Sequence, residues 1–268
     1  MIIPQWPAPD NVKAWATERE VSSVLENQHL LGQSLPPYNT FNLGDHVGDL
    51  PLHIASNRQQ LVDHAQGCDE VRWLHQIHGI DCPDAHFIVN ATQADATFTQ
   101  TPALACAVMT ADCLPVLFCD LQGRQVAAAH AGWRGLASGV LANTLKTFIV
   151  NDIAANQVIA WLGPAISQTA FEVGPDVKQA FSRFENGHPW ADEACFIAGK
   201  EDRLQADIYR LAKLQLEYLG VAGIYGAGTE GINYCTASDI NAAGEHRFFS
   251  YRRQAITGRQ ASLIWLSK

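Results

Sequence analysis

Residues 103–135 read ALACAVMTADCLPVLFCDLQGRQVAAAHAGWRG, and this stretch decides the fold of the chain. Two apolar runs within it, 103–109 and 114–119, have the length of strands, and a third, 125–131, follows a polar turn that contains glycine. Short apolar runs bounded by turn residues are typical of buried strands. The stretch therefore predicts three buried strands, followed by a Gly-rich turn that leads into a helix.

Polar residues suited to catalysis or metal binding lie at the ends of these predicted strands. Cys113 lies between the first two runs, and His130 lies 17 residues later, a spacing that suits a hairpin. A third candidate, His78, lies 35 residues before Cys113 in the sequence HQIHG, residues 75–79. The glycine after His78 indicates a sharp change of direction and favours His78 as the functional residue, although His75 stays open as a competing ligand.

Size and composition limit the class of protein. The chain has 268 residues, of which 47% are hydrophobic and 17% charged, so we expect one globular domain spanning residues 1–268. No apolar run has transmembrane length, and the N-terminus does not resemble a signal peptide. Seven cysteines without a C-x-x-C pair indicate reduced thiols and a cytoplasmic protein. We expect it to be a monomer or a homodimer. The net charge of −9 argues against nucleic-acid and membrane-surface binding.

Elsewhere, helical and strand patterns alternate, without a dinucleotide-binding or phosphate-loop motif. The loop 32–49 is rich in Pro, Gly, Asn and Asp, and 186–203 is predicted to be a surface excursion. Helices are predicted at 51–66, 136–150, 176–184 and 205–218, and further strands at 71–74, 86–90, 158–162, 221–225 and 261–266.

A basic segment near the C-terminus is a candidate anion site. Residues 247–259, RFFSYRRQAITGR, contain four arginines and no acidic residue. Arginine binds phosphate and carboxylate well, but a solvated basic segment explains the pattern equally well. By default, Arg58 on its predicted helix faces water, and Asn42 in its loop is a turn residue.

Two histidines and a cysteine form a ligand set that suits Zn²⁺, with a fourth position for water or substrate. Zinc can generate hydroxide for deamination. Zinc can instead orient a sugar while phosphate attacks it. Arg134 lies beside a Gly-rich helix start, where it is well placed to bind that phosphate. Alternatively, Cys113 is the nucleophile of a hydrolase, with His130 as its base and Asp112 or another acid orienting the imidazole. In the simplest interpretation, Cys113 is a packed core thiol.

Several motifs together resemble the YfiH-like laccase-domain family. They are FNLG at 41–44, HQIHG at 75–79, TADCLPVLF at 110–118, AAAHAGWRG at 127–135, GPAI with FEVG at 163–174, and FFSYRR with TGR at 248–259. The resemblance implies an α/β fold, an αββα-type sandwich of two mixed sheets flanked by helices, related to the Cys–His deamidase toxins. It also implies a zinc-dependent purine nucleoside phosphorylase acting on adenosine, inosine, guanosine and methylthioadenosine, with adenosine deaminase activity.

By the same resemblance, the metal ligands are His78, Cys113 and His130. Zinc is the expected metal, with copper as the alternative, since the family was first described as polyphenol oxidases. The resemblance also places Asn42 and Arg58, with Arg134, in the substrate or phosphate pocket. It puts the arginines of the terminal motif, Arg247, Arg252 and Arg253, nearby, of which we favour Arg253 as the contact.

Two features of the sequence differ from what a multicopper oxidase and the family pattern would show. A multicopper oxidase builds its trinuclear cluster from repeated His-x-His pairs, and this chain has ten histidines without one such pair. The glycine-containing T-x-R-x-G-G-x-S pattern of family members is reduced here to TEREVS at 17–22, without glycine. A pocket role for this segment is therefore not expected.

Overall fold

The structure is a computed structural model that describes residues 1–20, 24–25, 28–29, 31–182, 191–229 and 231–268. Part of the segment 17–22 and residues 186–190 of the predicted excursion lie outside the described residues. The remainder of that excursion is more regular than predicted, because residues 196–198 pair as a strand with residues 204–206. None of the described helices combines the length and the hydropathy needed to span a bilayer.

Strands and helices alternate along the described chain. The strands are β1 (Val12–Ala16), β2 (Val24–Leu25), β3 (Gln28–His29), β4 (Glu70–Arg72), β5 (Leu74–His75), β6 (Thr92–Gln93), β7 (Ala96–Thr99), β8 (Leu104–Thr110), β9 (Leu114–Asp120), β10 (Val126–Ala131), β11 (Val158–Leu162), β12 (Glu172–Val173), β13 (Phe196–Ala198), β14 (Leu204–Ala206), β15 (Gly223–Gly226) and β16 (Gln260–Leu266). The α-helices are α1 (Pro51–His64), α2 (Trp133–Ser138), α3 (Val140–Val150), α4 (Pro175–Ala180) and α5 (Ile208–Tyr218).

Two mixed sheets form the centre of the molecule. One has the order β1-β16-β8-β4, in which β4 and β8 are parallel and the other neighbours antiparallel. The other has the order β15-β11-β9-β10-β7, in which β11 and β15 are parallel. The three predicted strands of the central stretch are thus confirmed as β8, β9 and β10, and they divide between the two sheets.

Side-chain alternation along the strands creates the layers. On β9, Leu114, Val116 and Phe118 pack with α2, α3 and α5, whereas Leu117 and Cys119 face the four-stranded sheet. The outer face of the four-stranded sheet is covered by α1 and the loop that contains FNLG. This order of layers confirms the predicted αββα sandwich, while the relation to deamidase toxins stays a prediction.

Two predicted elements are corrected. The helix predicted at 136–150 starts earlier, at Trp133, and breaks at Gly139, whose φ of 97° is a left-handed conformation that ends α2. The strand predicted at 86–90 does not form, because Asn90 Oδ1 accepts the backbone N–H of Trp73 and the chain turns. Its apolar residue Phe87 remains 82% exposed, and the pairing strands come later, as β6 and β7.

Candidate metal centre

The chain crosses from one sheet to the other at the end of β8, and this crossing presents Cys113. β8 belongs to the four-stranded sheet and β9 to the five-stranded sheet, so residues 111–113 bridge the two layers. β9 and β10 then form the predicted hairpin, in which His130 pairs with Pro115. The hairpin therefore returns His130 to the same end of the sheet as Cys113, as their spacing predicted.

The HQIHG loop reaches the same place because its own side chain ties it to β8. The amide of Gln76 donates to the carbonyl of Met109 at 2.8 Å and accepts the N–H of Met109 at 2.7 Å, much as a neighbouring strand would. After Gln76 the backbone turns sharply, with a positive φ of 61° at His78. This strained conformation directs His78 toward the sheet crossing.

His78, Cys113 and His130 meet at this point. One ligand atom from each lies within 4.8 Å of the others, and Sγ of Cys113 is 3.9 Å from Nε2 of His78. Ligand atoms around a tetrahedral Zn²⁺ lie roughly 3.3–3.8 Å apart, given metal–ligand distances of about 2.0–2.3 Å. The three side chains therefore fit a single small divalent ion with little movement, and two imidazoles with a thiolate suit zinc or copper.

Asp95 organises two of these side chains, although no pattern in the sequence pointed to it. Its buried carboxylate accepts Nδ1–H of His130 at 2.7 Å, and the backbone N–H groups of Ile77, His78 and Gly79 at 2.6–3.0 Å. Because Nδ1 of His130 is engaged, its free ring nitrogen is Nε2. A carboxylate behind a ligating histidine is a common feature of metal sites, because it fixes the tautomer and the ring orientation.

Two glycines of the AHAGWRG motif make room for this assembly. A Cβ at Gly132 would stand 2.8 Å from Cδ2 of His78 and 3.0 Å from Sγ of Cys113. A Cβ at Gly135 would stand 2.9 Å from the carbonyl oxygen of Gly79. The strand-to-helix turn can therefore approach the two ligands and the HQIHG loop only because these positions lack side chains.

The electrostatics of the centre favour a thiolate. Burial by itself raises the pKa of the Cys113 thiol, but the imidazoles of His130 and His78 outweigh burial and lower it to about 6. Burial lowers the pKa of His130, but the Cys113 thiolate and the Asp95 carboxylate raise it to about 9. A thiolate is the form of cysteine that binds a metal, so the environment prepares Cys113 as a ligand.

A cavity of about 390 Å³ opens over the three side chains. Its volume lies within the range of small-molecule sites. Arg134, predicted at the phosphate position, lines this cavity with its guanidinium 4.2 Å from the centre of the Trp133 ring. The other lining residues are His46, Gln76, His78, Met109, Thr110, Ala111, Asp112, Cys113, His130, Ile166, Phe171, Tyr251, Arg252 and Arg259.

Three residues predicted to contact substrate do not line this cavity. The side chain of Asn42 is fully buried and hydrogen-bonded to Gly44, Asp49 and the backbone of Arg259. Arg58 donates to the carbonyl of Leu43, pairs with Asp45 and lies over Trp73. Arg253 donates to the backbone carbonyls of Thr236, Ala237 and Phe248. The polar groups of all three are therefore engaged by the protein itself in this structure, and their contact with substrate stays a prediction.

The other predicted side chains are also placed. His75 lies exposed on β5 and is not part of the three-residue cluster, so the structure brings His78 to the centre and not His75. Asp112 does not orient His130, because its carboxylate accepts the hydroxyl of Thr236 and the N–H of Arg252. Of the terminal arginines, Arg252 lines the cavity, whereas Arg247 pairs with Glu18.

Comparison with known proteins connects this geometry to a family. Residues 24–267 match the family model described as multi-copper polyphenol oxidoreductase laccase. The chain belongs to this laccase-domain family. It is 43% identical over 267 residues to the Escherichia coli K12 protein named purine nucleoside phosphorylase YfiH, a match covering 99% of this chain and 98% of that protein. A Pseudomonas aeruginosa protein named purine nucleoside phosphorylase is 42% identical over 265 residues, covering 99% and 98% of the two chains.

Solved structures share the fold. The crystal structure of a Neisseria meningitidis protein superposes with a TM-score of 0.85 at 44% identity, covering 100% of this chain and 99% of that one. The Bacillus licheniformis protein YfiH superposes with a TM-score of 0.78 over 96% of this chain and 94% of that one, at 24% identity. These comparisons confirm the family resemblance that the sequence motifs indicated.

Proposed function

We propose that this chain is a zinc-dependent purine nucleoside phosphorylase that also deaminates adenosine. The observation that carries the proposal is the meeting of His78, Cys113 and His130 beneath a cavity that Arg134 also lines. The names of the E. coli and P. aeruginosa relatives support a reaction of this kind. Its substrates would be adenosine, inosine, guanosine or methylthioadenosine together with phosphate, in a cavity of suitable volume.

The residues have separate tasks in the proposed phosphorolysis. A phosphate oxygen forms a bond to C1′ of the ribose while the C1′–N9 bond breaks, and the purine leaves with the electron pair and takes up a proton. Arg134 offers a guanidinium to the phosphate, and Asp95 holds the imidazole of His130 in one orientation. A bound zinc ion would be held by His78, Cys113 and His130 and would supply Lewis acidity and a water of lowered pKa.

The proposed deamination uses the same cavity. The oxygen of a water bonds to C6 of adenine and ammonia leaves, which yields inosine. Cys113, held as a thiolate, and the two imidazoles face this space, and Asp95 limits the movement of His130. One cavity with one ligand cluster can therefore serve both reactions on the same substrate.

The test is the paired loss of metal and activity. Cys113→Ala should lose bound zinc together with the phosphorolysis of inosine, because three protein ligands are the usual minimum for a catalytic zinc site. Elemental analysis and chromatographic detection of hypoxanthine measure the two losses. The matched control is Cys68→Ala, which removes a buried thiol from the core under α1, outside the cavity. A Cys113→Ala protein with a full zinc equivalent, or wild-type protein without phosphorolysis or deamination, would overturn the proposal.

A second candidate is a copper-dependent polyphenol oxidase, which the description of the matching family model favours. Within the described part of the chain, only one group of three metal-binding side chains comes together, whereas multicopper oxidases need several sites. Protein produced without added copper and then loaded with zinc or with copper separates the two ideas. Phenol oxidation that depends on copper, in protein lacking phosphorolysis, would favour the oxidase.

A third candidate is a metal-free Cys–His hydrolase, since Cys113, His130 and Asp95 have the order of a catalytic triad. Alkylation by iodoacetamide distinguishes a free thiolate from a metal-bound one. Under the proposed function, zinc should protect Cys113, and removal of zinc should expose it to rapid alkylation. Equal alkylation rates with and without zinc would favour the hydrolase.

A further inference from the structure

Three arginines line the cavity, and their guanidinium groups are committed to different degrees. Arg252 donates from both terminal nitrogens to the carbonyls of Ala170 and Glu172 at 2.9 Å, so its fork is occupied by backbone. Arg134 is exposed and stacks on Trp133. Arg259 differs from both, because it is half-buried and only part of its fork is used.

The free part of the Arg259 fork is the edge that binds oxyanions. Nη1 donates to the carbonyls of Thr257 and Gly258 at 3.2 and 3.0 Å. This leaves Nε and Nη2, the two parallel donors along one edge of the planar group, for a bidentate partner. Five other arginines pair with a carboxylate, but in the described part of the chain no carboxylate forms an ion pair with Arg259.

The FNLG loop, residues 41–44, contacts Arg259 through two hydrogen bonds and one close packing contact. Oδ1 of Asn42 accepts the backbone N–H of Arg259 at 2.8 Å, and the carbonyl of Arg259 accepts the N–H of Leu43 at 3.1 Å. A Cβ at Gly44 would stand 2.7 Å from Cγ of Arg259, so only glycine leaves room for its side chain. A solvated arginine does not need such support, whereas a binding residue in a fixed geometry does.

The position of Arg259 also suits an anion that reacts beside the metal ligands. Arg259 lines the same cavity as Cys113 and Asp112, so it lies beside the ligand cluster. The protein as a whole carries a net charge of −9, so arginines that line this cavity are exceptional against the acidic composition of the chain. A dianion that entered the cavity would meet Arg259 and Arg134 together.

We propose that Arg259 binds the phosphate co-substrate through its Nε and Nη2 donors, and that Asn42 and Gly44 are positioning residues for it. This inference rests on the proposed phosphorolysis and identifies the residue that selects the oxyanion. It also explains why the FNLG motif lies near the site without lining it. The motif acts on the substrate through the arginine.

The experiment uses zinc-loaded full-length protein and inorganic phosphate. Phosphate binding is measured by calorimetry, and the KM values for phosphate and for inosine are measured separately. Arg259→Gln should weaken phosphate binding at least about tenfold and raise the phosphate KM correspondingly, with the inosine KM little changed. Arg259→Lys should recover part of the binding, because it keeps the charge but loses the fork.

Gly44→Ala should weaken phosphate binding in the same direction while the zinc content stays at the wild-type level. Arg203→Gln is the matched control, since it removes one positive charge from an exposed arginine outside the cavity, and its phosphate affinity should match wild type. A general loss of stability in Gly44→Ala would not change the phosphate KM more than the inosine KM. A rise in the phosphate KM alone therefore identifies Gly44 as a positioning residue for Arg259.

The outcomes separate this inference from the proposed function. Phosphorolysis by wild-type protein with unchanged phosphate affinity in Arg259→Gln would overturn the inference and leave the function standing. Phosphate binding that depends on Arg259, without any phosphorolysis, would overturn the function and leave the anion site standing. Wild-type protein that does not bind phosphate would overturn the inference.

Discussion

Replacing Asp95 with asparagine tests how the metal centre is built without touching a ligand. The carboxylate accepts four hydrogen bonds, two at each oxygen: Oδ1 accepts from His78 N and His130 Nδ1, and Oδ2 from Ile77 N and Gly79 N. Asparagine keeps one oxygen, and its amino group then faces two donors. At about 1–3 kcal/mol for each buried group left unpaired, the expected cost is roughly 2–6 kcal/mol.

The chain contains a matched control for this cost. Asp120 lies at the end of β9 that is distant from Cys113, and it is as buried as Asp95. Its carboxylate also accepts four hydrogen bonds, from Gln122 N, Arg124 N, Arg124 Nε and Gln125 N. Both Asp→Asn variants should lower Tm, by roughly 5–15 °C for a chain of this size. Only Asp95→Asn should also weaken zinc binding, by about 10–100-fold, because only Asp95 orients a ligand.

Competition with a chromophoric chelator measures the zinc affinity of both variants, and differential scanning calorimetry measures Tm on the metal-free proteins. The comparison separates positioning of the ligand from general stability. Equal zinc affinity in Asp95→Asn and Asp120→Asn, whether both keep zinc or both lose it, would refute the assignment of Asp95 as the residue that orients a ligand.

Three further perturbations probe the centre and the core. Gly132→Ala should lower zinc affinity about tenfold or more in a chelator competition, because its Cβ would enter the space between His78 and Cys113; unchanged affinity would contradict this. In metal-free protein, the alkylation rate of Cys113 should rise with pH around a midpoint of about 6. The lowered pKa means that the thiol is ionised above that pH and protonated below it. A midpoint near ~8.5 would contradict the thiolate assignment. Phe148→Ala, in the core beside Phe118, should reduce the free energy of unfolding by about 3–5 kcal/mol in urea titration, and a loss below ~1 kcal/mol would contradict its packing.

Local patterns in the sequence determined more of the site than of its surroundings. Cys113, His130 and His78 could be singled out because each stands where an apolar run ends next to glycine or a polar break. The hairpin between β9 and β10 followed from strand length and the turn between the runs. His78 could be favoured over His75 by the glycine that follows it, and the structure places His78 at the centre.

Residues that act through long-range contacts were not visible in the same way. Asp95 precedes β7 in sequence, and its four donors come from residues 16–35 positions away, so no local pattern marks it. The family resemblance assigned Asn42, Arg58 and Arg253 to the substrate or phosphate pocket. The structure shows hydrogen bonds between all three side chains and backbone groups elsewhere in the chain, and no local pattern encodes those partners.

The sequence by itself determined the alternation of strands and helices and the three candidate ligands, because apolar periodicity, turn residues and glycine positions are local properties. The layered sandwich was implied by the family resemblance of its motifs. The tertiary structure alone decided which arginines line the cavity and which of their donors the backbone occupies, and which carboxylate supports His130. Both depend on how the crossing between the two sheets places the FNLG loop, the HQIHG loop and the β9–β10 hairpin against one another. Hydrogen bonds and charges are short-ranged, so their partners are fixed only when the layers have packed.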